Sequence, residues 1–153
     1  AQGELDGEEE RPFDRGAAWE TARAMAQPGE PAAVLEFFSG LEILTDAWRQ
    51  RLKAPEAGEW DCRTGNLLRY LVNRYWLQAV SDYDLYGRVK FMVISALVLR
   101  TLGGDFRETA QLFSKEIEND AENLDAILDA VYENPAFTDA KLLGMLLECG
   151  EHR

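Results

Sequence analysis

Apolar residues recur every three or four positions along most of the chain, and no stretch shows the strict alternation of apolar and polar residues that is typical of a surface strand. This spacing predicts helices almost everywhere. The segments between the helical stretches are short, so consecutive helices are expected to pack antiparallel. We therefore predict an all-α fold, a single-domain bundle of about seven or eight mostly antiparallel helices.

Capping residues mark where these helices begin. An Asp, Ser, Thr or Asn side chain before a helix accepts a hydrogen bond from the first turn, and in a capping box an acidic residue three positions later reaches back. Two glycines, Gly103 and Gly104, are predicted to end the helix that starts after Ser81. The predicted helices span about 15–26 after Asp14, a stretch from Pro31, 45–53 after Thr45, 65–80, 82–102 after Ser81, and stretches that follow Asp105, Asn119 and Thr138.

The segment NLLRYLVNRYWLQ, residues 66–78, carries the densest mixture of apolar, aromatic and polar side chains. On a helical wheel its apolar residues cover a broad arc, which predicts burial on most sides. The arginine stems would then lie along apolar surface and their charges would pair with surplus carboxylates. The residues of this arc are Leu67, Leu68, Leu71, Val72, Tyr75, Trp76 and Val80.

A second interpretation of the same segment is a polar network, whose members bond one another or a ligand. A third, stacking on nucleic-acid bases, is opposed by the charge of the chain. The residues of the candidate network are Asn66, Arg69, Tyr70, Asn73, Arg74 and Asp84.

The chain is strongly acidic, with 28 acidic and 16 basic residues and a formal net charge of −12. This charge disfavours binding to nucleic acid and to membrane surfaces, whereas it tolerates or attracts a basic protein partner. The longest apolar run, FMVISALVL at 91–99, is too short to cross a bilayer. It indicates a buried core helix.

Few residues suit catalysis or metal binding. The two cysteines, Cys62 and Cys149, are far apart in sequence and His152 is the only histidine, so no metal site is expected within the chain. The run of Glu116, Glu118, Asp120 and Glu122 is interpreted as a solvated helix face rather than a cation site. Weaker hypotheses make general acids of Glu36 and Glu42, or a reactive thiol of Cys62 beside a helix start. A third hypothesis of function is a stand-alone enzyme that uses Glu36, Glu42 or Asp61.

The first twelve residues combine clustered acids with glycine, which predicts a disordered acidic leader at 1–12 ahead of a helical domain at 13–150. No signal peptide and no initiator methionine open the chain, so a C-terminal fragment of a larger protein is expected. The cysteine usage favours a reduced, cytoplasmic setting.

Three segments, taken in order, resemble the C-terminal helical region of the bacterial flagellin lysine-N-methylase family. A leucine-rich segment ending in Trp48 precedes a helix of the form N-x-L-x-Y-x-x-x-R, a long apolar helix, an "S.EIE" segment and a closing "NPAF…LL". The resemblance covers roughly residues 35–147. The matching segments are FFSGLEILTDAWRQRL at 37–52, GNLLRYLVNRYWLQAVSDYDLYGRVKFMVISALVLRTLG at 65–103, and AQLFSKEIENDAENLDAILDAVYENPAFTDAKLLGML at 110–146.

The resemblance implies methyl transfer to protein lysine side chains, with S-adenosylmethionine as donor. It also implies a cysteine-rich cluster that holds an iron–sulfur or other metal centre N-terminal to this region. The chain lacks that cluster, so the resemblance implies no catalytic, cofactor-binding or metal-binding residue here. It implies instead a helical domain that supports the catalytic half or binds protein substrate, with the N-terminal catalytic region and a lysine-bearing protein such as flagellin as partners.

A different class of function is also consistent with the pattern. The chain could be a non-enzymatic helical interaction, dimerisation or ligand-binding module of a regulator. The apolar helices at 85–102 and 139–149 would then form a dimer face or a pocket. No basic helix-turn-helix accompanies them in this chain.

Overall fold

The computed structural model describes residues 13–56, 58 and 62–148. Within them the fold is all-α and contains no strand, as predicted. The proposed acidic leader at 1–12, Asp61, Cys149 and His152 lie outside the described residues. The elements are α1 (Arg15–Met25), α2 (Pro31–Ser39), α3 (Asp46–Lys53), α4 (Cys62–Asp82), α5 (Leu85–Leu102), α6 (Phe106–Phe113), a π-helical turn (Ser114–Glu118), α7 (Ala121–Glu133), a 3-10 turn (Pro135–Phe137) and α8 (Asp139–Glu148).

Three of the predicted helix caps are confirmed by hydrogen bonds. The side chains of Asp14, Thr45 and Asp105 accept from the amides of Ala17, Trp48 and Glu108 at 3.0, 3.3 and 2.9 Å. Each bond satisfies an amide that the first turn of a helix leaves without a partner, and each contributes about 1 kcal/mol.

Two predicted caps were wrong by a few residues. Helix α4 continues through Ser81, whose hydroxyl donates to the carbonyl of Leu77 at 3.3 Å, and Asp84 caps α5 instead. No glycine or proline stops α4 near Ser81, so the helix runs until the chain reverses at Tyr83. Likewise Asp120, rather than Asn119, caps α7, because the π-helical turn extends α6 as far as Glu118.

Helix α5 is the centre of the bundle. It packs against α2, α4, α6, α7 and α8, and from residue 90 to residue 99 only Val93 is not buried. Helices α4 and α5 form an antiparallel hairpin, in which the ring of Tyr75 meets that of Phe91 at 5.0 Å and Arg88 bonds Asp82. The predicted core helix is therefore confirmed over residues 90–99, whereas Leu85, Tyr86 and Val89 at its start stay exposed. A dimer face on this helix stays a prediction.

Helix α4 differs from the prediction that it is buried on most sides. It buries one face only, formed by Thr64, Leu71, Tyr75 and Ala79. The predicted apolar arc spans that face and a second, outward face, where Val72, Trp76 and Val80 are exposed. A helical wheel cannot distinguish the buried apolar face from the exposed one, because that depends on which side of α4 the neighbouring helix α5 packs against.

No helix within the described part of the chain has the length and apolar character needed to cross a membrane.

Candidate functional site

The carboxylate of Glu118 contacts three polar side chains of α4. The hydroxyls of Tyr70 and Tyr75 donate to its Oε1 at 3.2 and 2.9 Å, and Arg74 Nε lies 3.2 Å from the same atom. Tyr70 and Arg74 are four residues apart, so one helix face presents both. We call these four residues the Glu118 cluster.

The π-helical turn brings Glu118 to α4. In this turn the amide of Asn119 donates a hydrogen bond to the carbonyl of Ser114, five residues earlier, at 3.0 Å. Such a turn holds one residue more than an α-helical turn, which changes the direction of the side chains that follow. As a result the Glu118 side chain is only 4 % exposed, although it belongs to a run of acids.

The electrostatics of the cluster suit binding rather than proton transfer. Burial is the largest cause that raises the pKa of Tyr75, and the Glu118 carboxylate adds to the effect while Arg74 opposes it. Burial and then Glu118 also raise the pKa of Tyr70. Both phenols therefore stay protonated near neutral pH and act as hydrogen-bond donors. The guanidinium of Arg74 lies 5.7 Å from the centre of the Tyr75 ring, a cation–π contact.

An apolar cleft of about 330 Å³ opens beside the cluster, between α4 and α6. Leu67, Leu71, Phe106 and Ala110 form much of its wall, and Tyr70 and Glu118 line it as well. A cleft with apolar walls and a few polar groups is the usual form of a small binding site. We call it the α4–α6 cleft.

The structure places the six candidate network residues in three locations. Tyr70 and Arg74 meet at Glu118. Arg69 Nη1 lies 3.4 Å from Asn66 Oδ1 on the exposed side of α4, and Asn73 is exposed on the same helix. Contact of these residues with a ligand stays a prediction.

Asp84, the sixth candidate, belongs to a separate cluster. Its Oδ1 accepts from the amide of Gly87 at 2.8 Å and from the hydroxyl of Tyr132. The Tyr132 ring contacts that of Tyr86, whose hydroxyl donates to Asp139 at 2.6 Å. Asp84 therefore helps to join α5 to α7.

Lys90 and Asp139 stand at an apolar groove of about 250 Å³ between the end of α1, α5 and α8. The side chain of Lys90 is buried, and its Nζ lies 3.2 Å from Asp139 Oδ1. The hydrogen bond from Tyr86, with Lys90 in support, lowers the pKa of Asp139. The carboxylate of Asp139 therefore stays charged near neutral pH, and its ion pair with Lys90 holds α8 against α5.

The interpretation of the acidic run as a solvated helix face was wrong for its first two members. Glu116 is fully buried, accepts from the amide of Leu44 at 2.7 Å and also accepts from the hydroxyl of Thr45. Beside it Asn123 donates to the carbonyls of Glu116 and Glu42 at 2.9 and 2.8 Å. Together they fix the segment between α2 and α3 to the π-helical turn. One signal was present in the sequence: Glu116 follows the apolar Phe113 by three positions, on the inward face.

The other candidates for chemistry are dispersed. Glu36 and Glu42 are exposed, as is the free thiol of Cys62, while Asp61 lies outside the described residues. Among the side chains that the structure describes, no three His, Cys, Asp or Glu residues come close enough to hold a metal ion.

Comparisons with known proteins assign the chain to no family. No family model, no curated protein and no solved structure matches the chain. The Glu118 cluster and the α4–α6 cleft are therefore the features from which a function can be argued.

Proposed function

We propose that this chain is the C-terminal helical domain of a protein-lysine N-methyltransferase. It supports the catalytic half or binds the protein substrate, and it has no catalytic centre of its own. The resemblance implies S-adenosylmethionine and an iron–sulfur or other metal centre, and we place both in a part of the enzyme outside this chain.

The observation that supports the proposal is the meeting of two segments that carry the resemblance to the family. Tyr70 and Arg74 come from the N-x-L-x-Y-x-x-x-R pattern of α4, and Glu118 comes from the "S.EIE" segment. These segments are more than forty positions apart, yet their polar residues share one carboxylate oxygen beside the α4–α6 cleft. The polar residues of the N-x-L-x-Y-x-x-x-R pattern and of the "S.EIE" segment therefore lie together at the edge of a cleft large enough to bind a side chain.

The chemistry of the cleft fits a lysine side chain. The four methylene groups of lysine would lie along Leu67 and Phe106, and the ammonium would meet Glu118 and the phenol oxygen of Tyr70. The net charge of −12 would attract basic substrate over longer distances, an effect that salt weakens.

The proposal is tested by producing the complete gene product that contains this chain. Its bound iron is measured, and transfer of labelled methyl groups from S-adenosylmethionine to flagellin lysines is followed. We expect the variant Glu118→Gln to raise KM for flagellin with little change in kcat, because it removes the charge that faces the substrate and no group that reacts. Glu122→Gln, an exposed change in the same acidic run, should leave both constants unchanged.

Two results would contradict the proposal. One is a complete gene product that lacks an upstream cysteine cluster and transfers no methyl group. The other is a KM for flagellin that Glu118→Gln leaves at the value of the unaltered enzyme, which would show that the cleft does not bind the substrate.

The alternative function is a non-enzymatic interaction module of a regulator. The observation that favours it is the apolar face of α4, which is exposed in the described part of the structure. A complete gene product with a DNA-binding domain and no methyl transfer would support it.

A further inference from the structure

The outward face of α4 carries an apolar stripe that nothing in the described structure covers. Val72, Trp76 and Val80 follow one another at four-residue spacing, and Tyr83 continues the line just after the helix ends. Each of these side chains is well exposed, and Leu77 beside them is exposed by 72 %. We call Val72, Trp76, Val80 and Tyr83 the outer stripe.

The backbone conformation and the exposure of Tyr83 indicate that another molecule covers this stripe. Its φ is 59°, the left-handed region that a bulky side chain adopts at a cost and that glycine or asparagine adopts easily. Its ring is 94 % exposed, so the protomer recovers none of that cost by burying the ring. The cost is offset if the ring packs against another molecule.

The stripe has the symmetry needed to pair with itself. In a two-fold, isologous contact, residue i of one copy faces residue j of the other and j faces i. With two α4 helices antiparallel and Trp76 on the axis, Val72 of one copy faces Val80 of the second. One turn further out, Arg69 faces Tyr83, a cation–π pairing. Apolar side chains therefore face each other at the three inner positions, and at each outer position the basic side chain of Arg69 faces the aromatic ring of Tyr83.

We propose that two copies of this chain associate through the outer stripes of antiparallel α4 helices, with Trp76 at the two-fold axis. This goes beyond the proposed function and does not depend on it. The outer stripe and Leu77 together expose on the order of 600 Å² of mostly apolar residue surface, somewhat less than the roughly 800 Å² that each partner contributes to a standard interface.

Charge permits this contact although each copy carries a net charge of −12. Helix α4 is locally basic, with Arg63, Arg69 and Arg74 against the single acid Asp82. Two α4 helices therefore meet away from the acidic excess of each copy, and the repulsion left at the contact is that between their own arginines. Added salt screens the remaining repulsion, so the dimer should become tighter as salt rises.

Sedimentation velocity over a concentration series tests the association. We expect a monomer–dimer equilibrium that salt shifts toward the dimer and that Trp76→Glu weakens by at least about 30-fold, the effect of losing a central tryptophan. Trp19→Glu is the matched control: it makes the same change on α1 at a side chain exposed by 50 %, against 51 % for Trp76, and should leave the equilibrium unchanged. A chain that stays monomeric at every concentration and salt overturns the proposal.

Tyr83→Asn separates the two roles of that residue. Because asparagine tolerates a positive φ, the variant protomer should melt at a higher temperature in dilute solution while its dimer dissociates more readily. A dimer of unchanged affinity would remove Tyr83 from the contact and overturn the proposed register.

Cysteine cross-linking tests the antiparallel register in a background with Cys62→Ser and Cys149→Ser. Trp76 is left unchanged because it forms the centre of the contact, and the new cysteines are placed at the two flanking positions. Val72→Cys chains should link to Val80→Cys chains and not to themselves. Self-linking at Val72 would indicate parallel helices and overturn the register.

Discussion

The buried carboxylate of Glu116 offers a direct test of what holds α3 in place. It accepts from the amide of Leu44 and from the hydroxyl of Thr45, the residue that caps α3. Replacing Glu116 by alanine removes both acceptors at once. The amide of Leu44 and the hydroxyl of Thr45 then lose their acceptor at a partly buried position, while no other hydrogen bond of these two donors is changed.

The magnitude follows from those two bonds. Leaving a buried donor unsatisfied costs about 1–3 kcal/mol, which gives roughly 2–6 kcal/mol for the pair. Removing a carboxylate from an apolar surrounding relieves part of its desolvation cost, so the net loss should be about 3 kcal/mol. For a chain of this size 1 kcal/mol corresponds to about 2–4 °C, so Glu116→Ala should lower Tm by about 6–12 °C.

The assay is urea and thermal unfolding followed by far-UV circular dichroism, which reports loss of helix. Glu122→Ala is the control, since it deletes the same group from the exposed end of the same acidic run and should change the free energy of unfolding by less than about 0.5 kcal/mol. Glu116→Gln should restore part of the loss, because its amide oxygen can still accept from Leu44. If Glu116→Ala melts like the unaltered chain, the carboxylate does not hold α3 and the reasoning is wrong.

Gly144→Ala should destabilise the chain by about 1–3 kcal/mol, because the new Cβ would lie 1.8 Å from the carbonyl oxygen of Gln27. At Gly65 a new Cβ would meet no atom of the described residues within 4 Å, so Gly65→Ala should stabilise α4; comparable urea midpoints for the two variants would contradict this packing. Glu118→Gln should lower the pKa of Tyr75, measured by NMR of ring-labelled tyrosine. Since the folded pKa of Tyr75 is raised, its contribution to stability is complete below the unfolded value of about 10 and is lost as pH rises through the folded pKa, so Glu118→Gln should lose less stability in alkali. A Tyr75 titration that Glu118→Gln leaves unaltered would place the cause in burial alone.

Local signals in the sequence predicted most of the helices. The caps at Asp14, Thr45 and Asp105 depend on residues three positions apart, so one sequence contains all the information they need. The end of α4 was harder to place, because Ser81 and Asp84 both suit a cap and only packing against α5 decides between them.

The candidate site was predictable only in part. The four-residue spacing of Tyr70 and Arg74 indicated a shared polar face, but their partner, Glu118, lies more than forty positions away. The acidic run was misread because charge favours solvent, whereas the π-helical turn directs two of its carboxylates to buried donors. Such a turn has no reliable signal in a single sequence, because it arises from tertiary contacts on both of its sides.

The π-helical turn restricts the length of the chain at this point. Glu116 reaches toward Thr45 on one side and Glu118 reaches toward Tyr75 on the other, from a stretch of five residues. Loss of one residue would restore an ordinary α-helix, and the two carboxylates could no longer reach both destinations. In related sequences we therefore expect insertions and deletions to avoid 114–118, even where the exposed Lys115 varies freely.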